Sequence, residues 1–304
     1  MFKKGCKKKS TAQRRQENLT AYTLLAIPII WWIIFFLIPV FMALFYSFTD
    51  LKLSPDKISK YGIFQYVKVL KDTRFWLSIK NTAIWTIVMM IGNNFFGILL
   101  AVLITRLKRG KKFFIALLFW PTLVSAVIGS SITSMVFSAD RYGLANMVLG
   151  WFKVQPIPWL EDPKTALWAL MIMPFFFGFS IKMIIYYAGL ISIPNTYYEA
   201  CALETNSSWH RFRYITLPLL KNAFILNLIL SLIDGLKVLG PMQLVTNGGP
   251  DDSTLSTLLY IYKLSFDTPN KGQGTAAAFI LFAIIIIFSL IQLKISGKGA
   301  ETYE

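Results

Sequence analysis

Long apolar runs, several of them free of charged residues, divide the chain into segments of bilayer length. Four runs carry no charge, at 21–49, 81–105, 113–139 and 272–293. Two others are interrupted: 165–190 contains Lys182, and 222–243 contains Asp234 and Lys237. A membrane-crossing helix needs about 20 apolar residues, because each residue advances the helix by about 1.5 Å. The pattern therefore predicts an all-α integral membrane protein with six spans, at about 21–49, 81–105, 113–138, 165–190, 222–243 and 273–295.

Helices that are apolar on every face are typical of membranes and rare in soluble domains. One integral membrane domain, residues 20–296, therefore accounts for most of the chain, between a basic tail at 1–19 and a C-terminal tail at 297–304. The first apolar run begins late, lacks a small-residue cleavage site and exceeds the apolar region of a secretory signal. We expect it to be retained as a span.

The positive charge of the chain is concentrated in the tail and the connectors. Lys and Arg number 31 against 15 acidic residues, and they include seven of the first 15 residues and five of the seven at 106–112. Basic flanks mark the cytoplasmic side, which predicts a cytoplasmic location for both termini and for the connector 191–221. The segment 50–80, with seven basic and three acidic residues, runs against this orientation. Membrane lipid, and no nucleic acid, is the expected environment of this charge.

Few side chains are available for metal or covalent chemistry. Cys6 and Cys201 are the two cysteines, and there is a single histidine, so neither a disulfide framework nor a zinc site is indicated. The sequence contains no Gly-x-x-x-x-Gly-Lys-Ser/Thr loop of the kind that holds nucleotide phosphates. We therefore expect no cofactor in this chain and no enzymatic activity of its own.

Polar residues inside the predicted spans are the candidates for function. An isolated charge in hydrocarbon costs on the order of 3 kcal/mol, so these groups should face protein or water. Asp234 and Lys237, three residues apart, are expected to neutralise each other in part. Lys182 lies close enough to a helix end to reach the interface. The groups either bind the helices together or line a translocation path; the candidates for the path are Asn93, Asn94, Asp234, Lys237 and Gln243.

A mixed-charge segment follows the fourth predicted span. Pro194 does not continue a helix comfortably, and the letters TYYE (196–199) fit a capping box with Thr196 as N-cap and Glu199 three residues later. A short helix should run to about residue 203, turn near 205–208 and be followed by a second. The apolar face of the second helix is formed by Trp209, Phe212 and Ile215. This face either packs on the protein's own spans or docks a partner.

The segment EACALETNSSWHRFRYITLPLL (199–220) resembles the EAA loop of permease subunits of binding-protein-dependent ABC importers. Further motifs are similar to those of the carbohydrate-uptake, maltose-type branch and occur in the same order: FWLSIKNT (75–82), YGLAN (142–146), WLEDP (159–163), AGLISIP (188–194) and VTNGGPDDST (245–254). This ordered set covers nearly the whole chain. The sequence departs from the family twice, with Cys201 in place of Ala and Thr205 in place of a Gly that would relax the turn.

The resemblance implies the six-helix type I importer permease architecture in the cytoplasmic membrane, with 191–221 as a loop that couples to an ATPase. The coupling residues implied are Glu199, Ala200, Cys201, Thr205, Trp209, Arg211, Phe212 and Pro218. The implied substrate is a sugar or oligosaccharide. The implied partners are a second homologous permease, two subunits that bind ATP and Mg²⁺, and an extracytoplasmic substrate-binding protein.

Other functions have less support from the sequence. A permease for a phosphorylated polyol or another small solute is the nearest alternative. An ion-coupled secondary transporter would need its own coupling-ion site and often has paired halves, and neither is evident. A signalling membrane protein would need a sizeable soluble domain, whereas the longest connector has about 31 residues.

Overall fold

The computed structural model describes residues 11–52, 58, 60–205, 207–268 and 270–297, and this part of the chain is helical with short connections. One isolated β-bridge, between Thr49 and Tyr61, joins the two ends of the connection between the helix that ends at Ser47 and the helix that begins at Phe64. The all-α architecture predicted from the apolar runs is confirmed. Most of the predicted terminal tails, including Cys6, lies outside the described residues, and the first helix already begins at Thr11.

Twelve helices follow one another along the described residues. The first six are α1 (11–47, with a π-helical turn at Ile33–Leu37), α2 (Phe64–Lys71), α3 (Thr73–Arg106), α4 (Lys111–Phe119), α5 (Ala126–Val136) and α6 (Leu144–Trp151). The second six are α7 (Ala166–Ser192), α8 (Asn195–Glu204), α9 (Ser208–Leu219, with a π-helical turn at Phe212–Thr216), α10 (Lys221–Leu236), α11 (257–267) and α12 (Lys271–Gly297). A π-helical turn, Met242–Thr246, separates α10 from α11.

Four helices, α1, α3, α7 and α12, are each long and apolar enough to cross a membrane, and two bent pairs raise the number to as many as six. The first pair, α4 and α5, meets at 87°. Pro121 lies in a 3₁₀ turn after α4, and Ser125 then caps α5 by accepting a hydrogen bond from the Ile128 amide at 3.4 Å. The third apolar run is therefore broken, because a proline and a capping serine start a new helix inside it.

The fifth apolar run is also shorter as a helix than its composition indicates. The helix α10 ends at Leu236, and Gly240 and Pro241 follow before the turn Met242–Thr246. At its other end α10 meets α9 at an angle of 68°. Apolar composition continues across these breaks, so the predicted range 222–243 includes one helix and part of an irregular segment.

Glycines allow α3 to approach α7 and α10 closely. A Cβ atom at Gly97 would lie 3.0 Å from Lys182 Cβ and 3.2 Å from the backbone carbonyl carbon of the same residue. A Cβ atom at Gly235 would lie 2.8 Å from the Cα atom of Thr86. Small residues are favoured at such contacts because helices in a bilayer associate through close packing rather than through the exclusion of water.

Two apolar clusters lie along opposite halves of α3. The first surrounds its N-terminal half and includes Phe75, Trp85, Leu170, Met242 and Leu259. The second surrounds its C-terminal half and includes Ala101, Ile104, Met183, Tyr186 and Leu220. We refer to the end with residues 137–165 and 247–256 as the loop end, and to the end with residues 190–220 as the module end.

Hydrogen bonds attach the loop 247–256 to the start of α3. The guanidinium of Arg74 donates to both carboxylate oxygens of Asp252, at 2.7 and 2.8 Å. The amide of Asn81 donates to the backbone oxygens of Asp252 and Leu255. The Tyr260 hydroxyl donates to Asp72 at 2.7 Å. Burial, and after it this hydrogen bond, raises the pKa of Tyr260 above its usual range, so the hydroxyl stays protonated and continues to donate.

A second network at the loop end is centred on Asn146. Its amide nitrogen donates to the backbone oxygens of Ser138 and Ile157, both at 3.0 Å. Its amide oxygen accepts from the Ile157 amide at 3.0 Å and from the Trp159 indole at 2.9 Å. One buried side chain thus joins the two loop segments on either side of α6.

We expect Gly235→Ala to lower the free energy of unfolding by about 1–3 kcal/mol, because its Cβ would displace the backbone of α3 at Thr86. The control is Gly150→Ala in α6, where an added Cβ meets nothing within 4 Å and helix propensity alone should stabilise by up to about 1 kcal/mol. Thermal unfolding of both variants in detergent measures the difference. Equal stabilisation by the two substitutions would contradict the close contact of α10 with α3.

Candidate substrate path and coupling module

A layer of polar side chains crosses the interior where α3, α7 and α10 meet. The amide of Asn94 donates to Ser231 Oγ at 3.0 Å, and the Tyr186 hydroxyl donates to Asn94 Oδ1 at 2.6 Å. The amide of Asn227 donates to the backbone oxygen of Lys182 at 3.2 Å. These three bonds join the helices pairwise, because polar groups away from water need partners inside the protein.

Lys182 of α7 and Asp234 of α10 form an ion pair across the same layer, with Nζ 3.2 Å from Oδ2. The Lys182 side chain is only 6% exposed, so it does not reach the interface as the sequence had indicated. The partner of Asp234 is Lys182, and the pairing with Lys237 expected from their spacing is wrong. The physical reason is that Lys237 is exposed and its ammonium can be solvated by water, whereas the buried ammonium of Lys182 needs the carboxylate as a partner.

A cavity of about 250 Å³ opens beside this ion pair. The polar residues in its wall are Asn93, Lys182, Ser231 and Asp234, and Trp85 lies in the same wall. Asn93 Oδ1 is buried and accepts no hydrogen bond from any described residue. A buried acceptor without a protein partner is normally satisfied by water or by a ligand. The wall of the cavity therefore contains a carboxylate, an aromatic side chain and, at Asn93, a buried amide oxygen without a partner among the described residues.

The structure separates the five residues proposed for the path. Asn93 and Asp234 line the cavity, whereas Asn94 lies behind it in the interhelical network. Lys237 is exposed just beyond α10, and Gln243 is half-buried in the turn Met242–Thr246.

Among the polar and aromatic residues of the cavity wall, the sequence analysis did not assign Trp85, Ser231 or Lys182 to the path. A usable signal was present for one of them. Asn227, Ser231 and Asp234 follow one another at spacings of four and three residues, which places them on one helix face.

The module end carries two short helices, α8 and α9, with one edge against the bundle. Cys201 is buried there, and the Tyr198 hydroxyl shares a hydrogen bond of 3.2 Å with Thr216 Oγ1. The opposite edge is open: Leu203 is 91% exposed and Trp209 is 70% exposed. The Trp209 ring lies 5.8 Å from that of Phe212. This apolar edge is left uncovered by the described part of the chain.

The start of the module differs from the prediction. The helix α8 begins at Asn195, directly after Pro194, and no side chain caps it. Thr196 is therefore inside the helix, and the predicted capping box of Thr196 with Glu199 is wrong. Because Pro194 has a ψ of 137°, it ends the preceding segment in an extended conformation, and the new helix starts at the next residue.

The turn between α8 and α9 does not require glycine. Thr205 has an extended backbone, with φ −153° and ψ 142°, which any residue adopts. Its hydroxyl accepts from the Ser207 amide at 3.2 Å, and Ser207 Oγ in turn caps α9 by accepting from the His210 amide at 3.3 Å. Of the remaining residues named for coupling, Glu199, Ala200 and Pro218 are exposed, and Arg211 and Phe212 are half-buried.

The two helices of the module are connected directly to two helices that line the cavity. Two residues, Ile193 and Pro194, connect α7 to α8, and α9 bends into α10. Lys182 and Asp234, which meet at the cavity, belong to α7 and α10. The module is therefore joined through both helices to the cavity wall. An apolar helical bundle with a cavity that contains an ion pair, and with a projecting two-helix module, is typical of multi-pass membrane transport proteins.

Comparison with known proteins gives the family. The family described as binding-protein-dependent transport system inner membrane component matches residues 93–298. The multiple sugar-binding transport system permease protein MsmF of Streptococcus mutans is 32% identical over 290 residues, which cover 95% of this chain and 99% of that protein. The chain thus belongs to the family of binding-protein-dependent transport system inner membrane components, and the resemblance to ABC importer permeases is confirmed.

Other relatives agree with this assignment. The trehalose/maltose transport system permease protein MalF of Thermococcus litoralis is 29% identical, over 86% of this chain and 88% of that protein. The crystal structure of a bacterial ABC transporter involved in the import of the acidic polysaccharide alginate has a chain with a TM-score of 0.83 and 22% identity, covering 94% of this chain and 98% of that chain. The fold is therefore that of a type I importer permease. The protein is an integral membrane permease that acts with a binding protein, and it is not itself an enzyme.

Because Lys182 is buried and Asp234 is exposed, we expect removal of one partner to lower the free energy of unfolding more than removal of the other. Asp234→Ala leaves the buried ammonium of Lys182 unpaired and should lower the free energy of unfolding by about 1–3 kcal/mol. Lys182→Met leaves only an exposed carboxylate, which water can solvate, and should cost less. Thermal unfolding in detergent measures both. The double variant should recover most of the loss; a Lys182→Met variant less stable than Asp234→Ala would refute this account.

Proposed function

We propose that this chain is the membrane-spanning permease subunit of an ATP-driven importer for a sugar or oligosaccharide. It pairs with a second, homologous permease and binds two copies of an ATP-hydrolysing subunit, which hold ATP and Mg²⁺. An extracytoplasmic binding protein delivers the substrate. The observation that carries the proposal is the continuity of the exposed module with α7 and α10, whose side chains form the ion pair in the cavity wall.

The uncovered edge of the module is the docking surface for the ATPase. Leu203 and Trp209 present apolar surface without a partner in the described chain, as helix-in-groove recognition requires. Closure of the ATPase pair then moves α8 and α9, and the movement passes into α7 and α10 as rigid-body rocking. The cavity opens to opposite sides of the membrane in turn.

The orientation follows from charge. The basic link 106–112 and the module lie at the same end of the bundle, because Arg106 and Arg211 line one cavity there. By the positive-inside rule, this end and both termini lie on the cytoplasmic side of the inner membrane. The loop end then faces outward, where the binding protein docks.

The substrate class follows from the cavity and from the relatives. Trp85 contributes an aromatic side chain to the cavity wall, and the exposed carboxylate of Asp234 offers acceptors for hydroxyl donors. MsmF and MalF are named as permeases of sugar transport systems. The 250 Å³ of the cavity is below the roughly 300–1,000 Å³ of a complete small-molecule site, in accord with a path that a second permease completes.

The ion pair favours a neutral substrate over a phosphorylated polyol. In the described residues, Lys182 is the cation of the cavity wall, and its charge is already matched by Asp234. A phosphorylated ligand would have to displace that carboxylate or remain uncompensated.

Docking of the ATPase predicts a specific loss of co-purification. Trp209→Ala should reduce recovery of the ATPase with tagged chain by at least about tenfold, since buried aromatic anchors at interfaces contribute about 2 kcal/mol or more. Glu199→Arg, on the same module, should act in the same direction. The control is Trp151→Ala, which removes an equally exposed ring at 75% exposure in α6. If the ATPase comes down equally with the Trp209 and Trp151 variants, the module is not its docking site.

A transport assay tests the substrate class. In vesicles containing the assembled importer and its binding protein, unphosphorylated oligosaccharides should compete with uptake of a labelled oligosaccharide, whereas polyol phosphates should not. Asp234→Asn, which keeps the size of the side chain and removes its charge, should slow uptake while leaving the ATPase bound. Competition by polyol phosphates alone would replace the sugar assignment with the alternative.

A further inference from the structure

A second cavity, separate from the substrate path, lies at the module end. It has a volume of about 510 Å³ and is enclosed by the last turn of α3, the start of α4, the end of α7 and the module. Val102 and Arg106 belong to α3, Lys111 to α4 and Leu190 to α7. Neither Asn93 nor Asp234 contributes to it, so its ligand would be distinct from the transported substrate.

The charge of this cavity is one-sided. Three cations line it, namely Arg106, Lys111 and Arg211, and no acidic side chain lines it within the described residues. In the same part of the chain, neither Arg106 nor Lys111 is within ion-pair distance of a carboxylate. Ser208 and Asn195 add neutral hydrogen-bond donors to the wall. Arg106 and Lys111, which have no acidic partner in the described residues, form together with Arg211 and the neutral donors a site for an anion with several acceptor oxygens.

The position of the cavity indicates which kind of anion it would bind. Arg106 is the last residue of the apolar helix α3, and Leu190 lies in the last turn of α7, so the cavity is level with the ends of two membrane helices. Phosphate groups of lipids occupy this depth, and basic pockets between helices bind them. Leu190, Ile191 and Ile193 supply an apolar side to the same wall, along which an acyl chain could lie.

We propose that this cavity binds a phosphate group, carried by an anionic phospholipid or free in solution. Arg106 and Lys111 belong to the basic link 106–112, and Arg211 belongs to the module. A bound phosphate therefore bridges the link to the module and holds α9 against the end of α3. Because the module is the proposed docking surface for the ATPase, the lipid composition or phosphate concentration on this side of the membrane would adjust its position.

The test compares two double variants of equal charge change in the full-length chain, purified in a mild non-ionic detergent. The first, Arg106→Gln/Lys111→Gln, is called the cavity variant and removes two cations from the cavity wall. The second, Lys108→Gln/Arg109→Gln, is called the link variant and removes two cations of the basic link 106–112 that do not line the cavity. Lys111→Gln alone provides a milder variant if the first double variant folds poorly.

The first arm measures lipid retention by native mass spectrometry from an equimolar mixture of phosphatidylglycerol and phosphatidylcholine. The wild-type chain should retain more phosphatidylglycerol than phosphatidylcholine. The ratio of the two retained lipids should fall at least about tenfold in the cavity variant and change by no more than about twofold in the link variant. The second arm measures the thermal unfolding midpoint in inorganic phosphate against chloride at equal ionic strength. A midpoint raised by phosphate in the wild type and the link variant, but not in the cavity variant, identifies a soluble ligand.

Each result bears on the proposal directly. A selective loss in the first arm supports the site and identifies a phospholipid as its source, and a selective loss in the second supports it with free phosphate as the source. Equal behaviour of the two double variants in both arms would show only the general attraction of a basic link, and would overturn the proposal. The milder variant should lie between wild type and the cavity variant in whichever arm responds.

Discussion

The buried ammonium of Lys182 is the group on which the inner part of the bundle depends. Its carbon stem packs over Gly97 of α3, its backbone oxygen accepts from Asn227 of α10, and its Nζ reaches Asp234 one helix away. A charge away from water is tolerated only where such partners are supplied, so this residue determines how three helices sit together. The glycine is part of the same requirement, because any side chain at position 97 would crowd Lys182.

This arrangement connects the cavity to the helices that bear the module. The ion pair lies between α7 and α10, which continue into α8 and α9, while α3 is held at its other end by the loop 247–256. Relative movement of α7 and α10 must stretch or rebuild a contact of 3.2 Å between opposite charges. Such contacts have discrete arrangements, which is the property required of an element that switches between two states.

The loop end is held together by two networks of hydrogen bonds. Several of the motifs that carry the resemblance to carbohydrate permeases contact one another there. Asn81 of FWLSIKNT donates to the loop that contains VTNGGPDDST, and Asn146 of YGLAN accepts from Trp159 of WLEDP. These residues satisfy backbone groups that would otherwise lack partners near the membrane. Much of the sequence signature thus records the folding of this end, and the cavity residues lie elsewhere.

The sequence by itself determined that the chain spans a membrane, where its long apolar helices lie, and that two short helices follow the fourth span within residues 191–221, because apolar runs and prolines act locally. Tertiary structure alone decided the partner of Asp234, the exposure of Trp209 and the cavity shared by Arg106 and Lys111. Those features depend on which faces of separate helices meet. Helices that are apolar on nearly every side carry little periodic signal of the face that is turned inward.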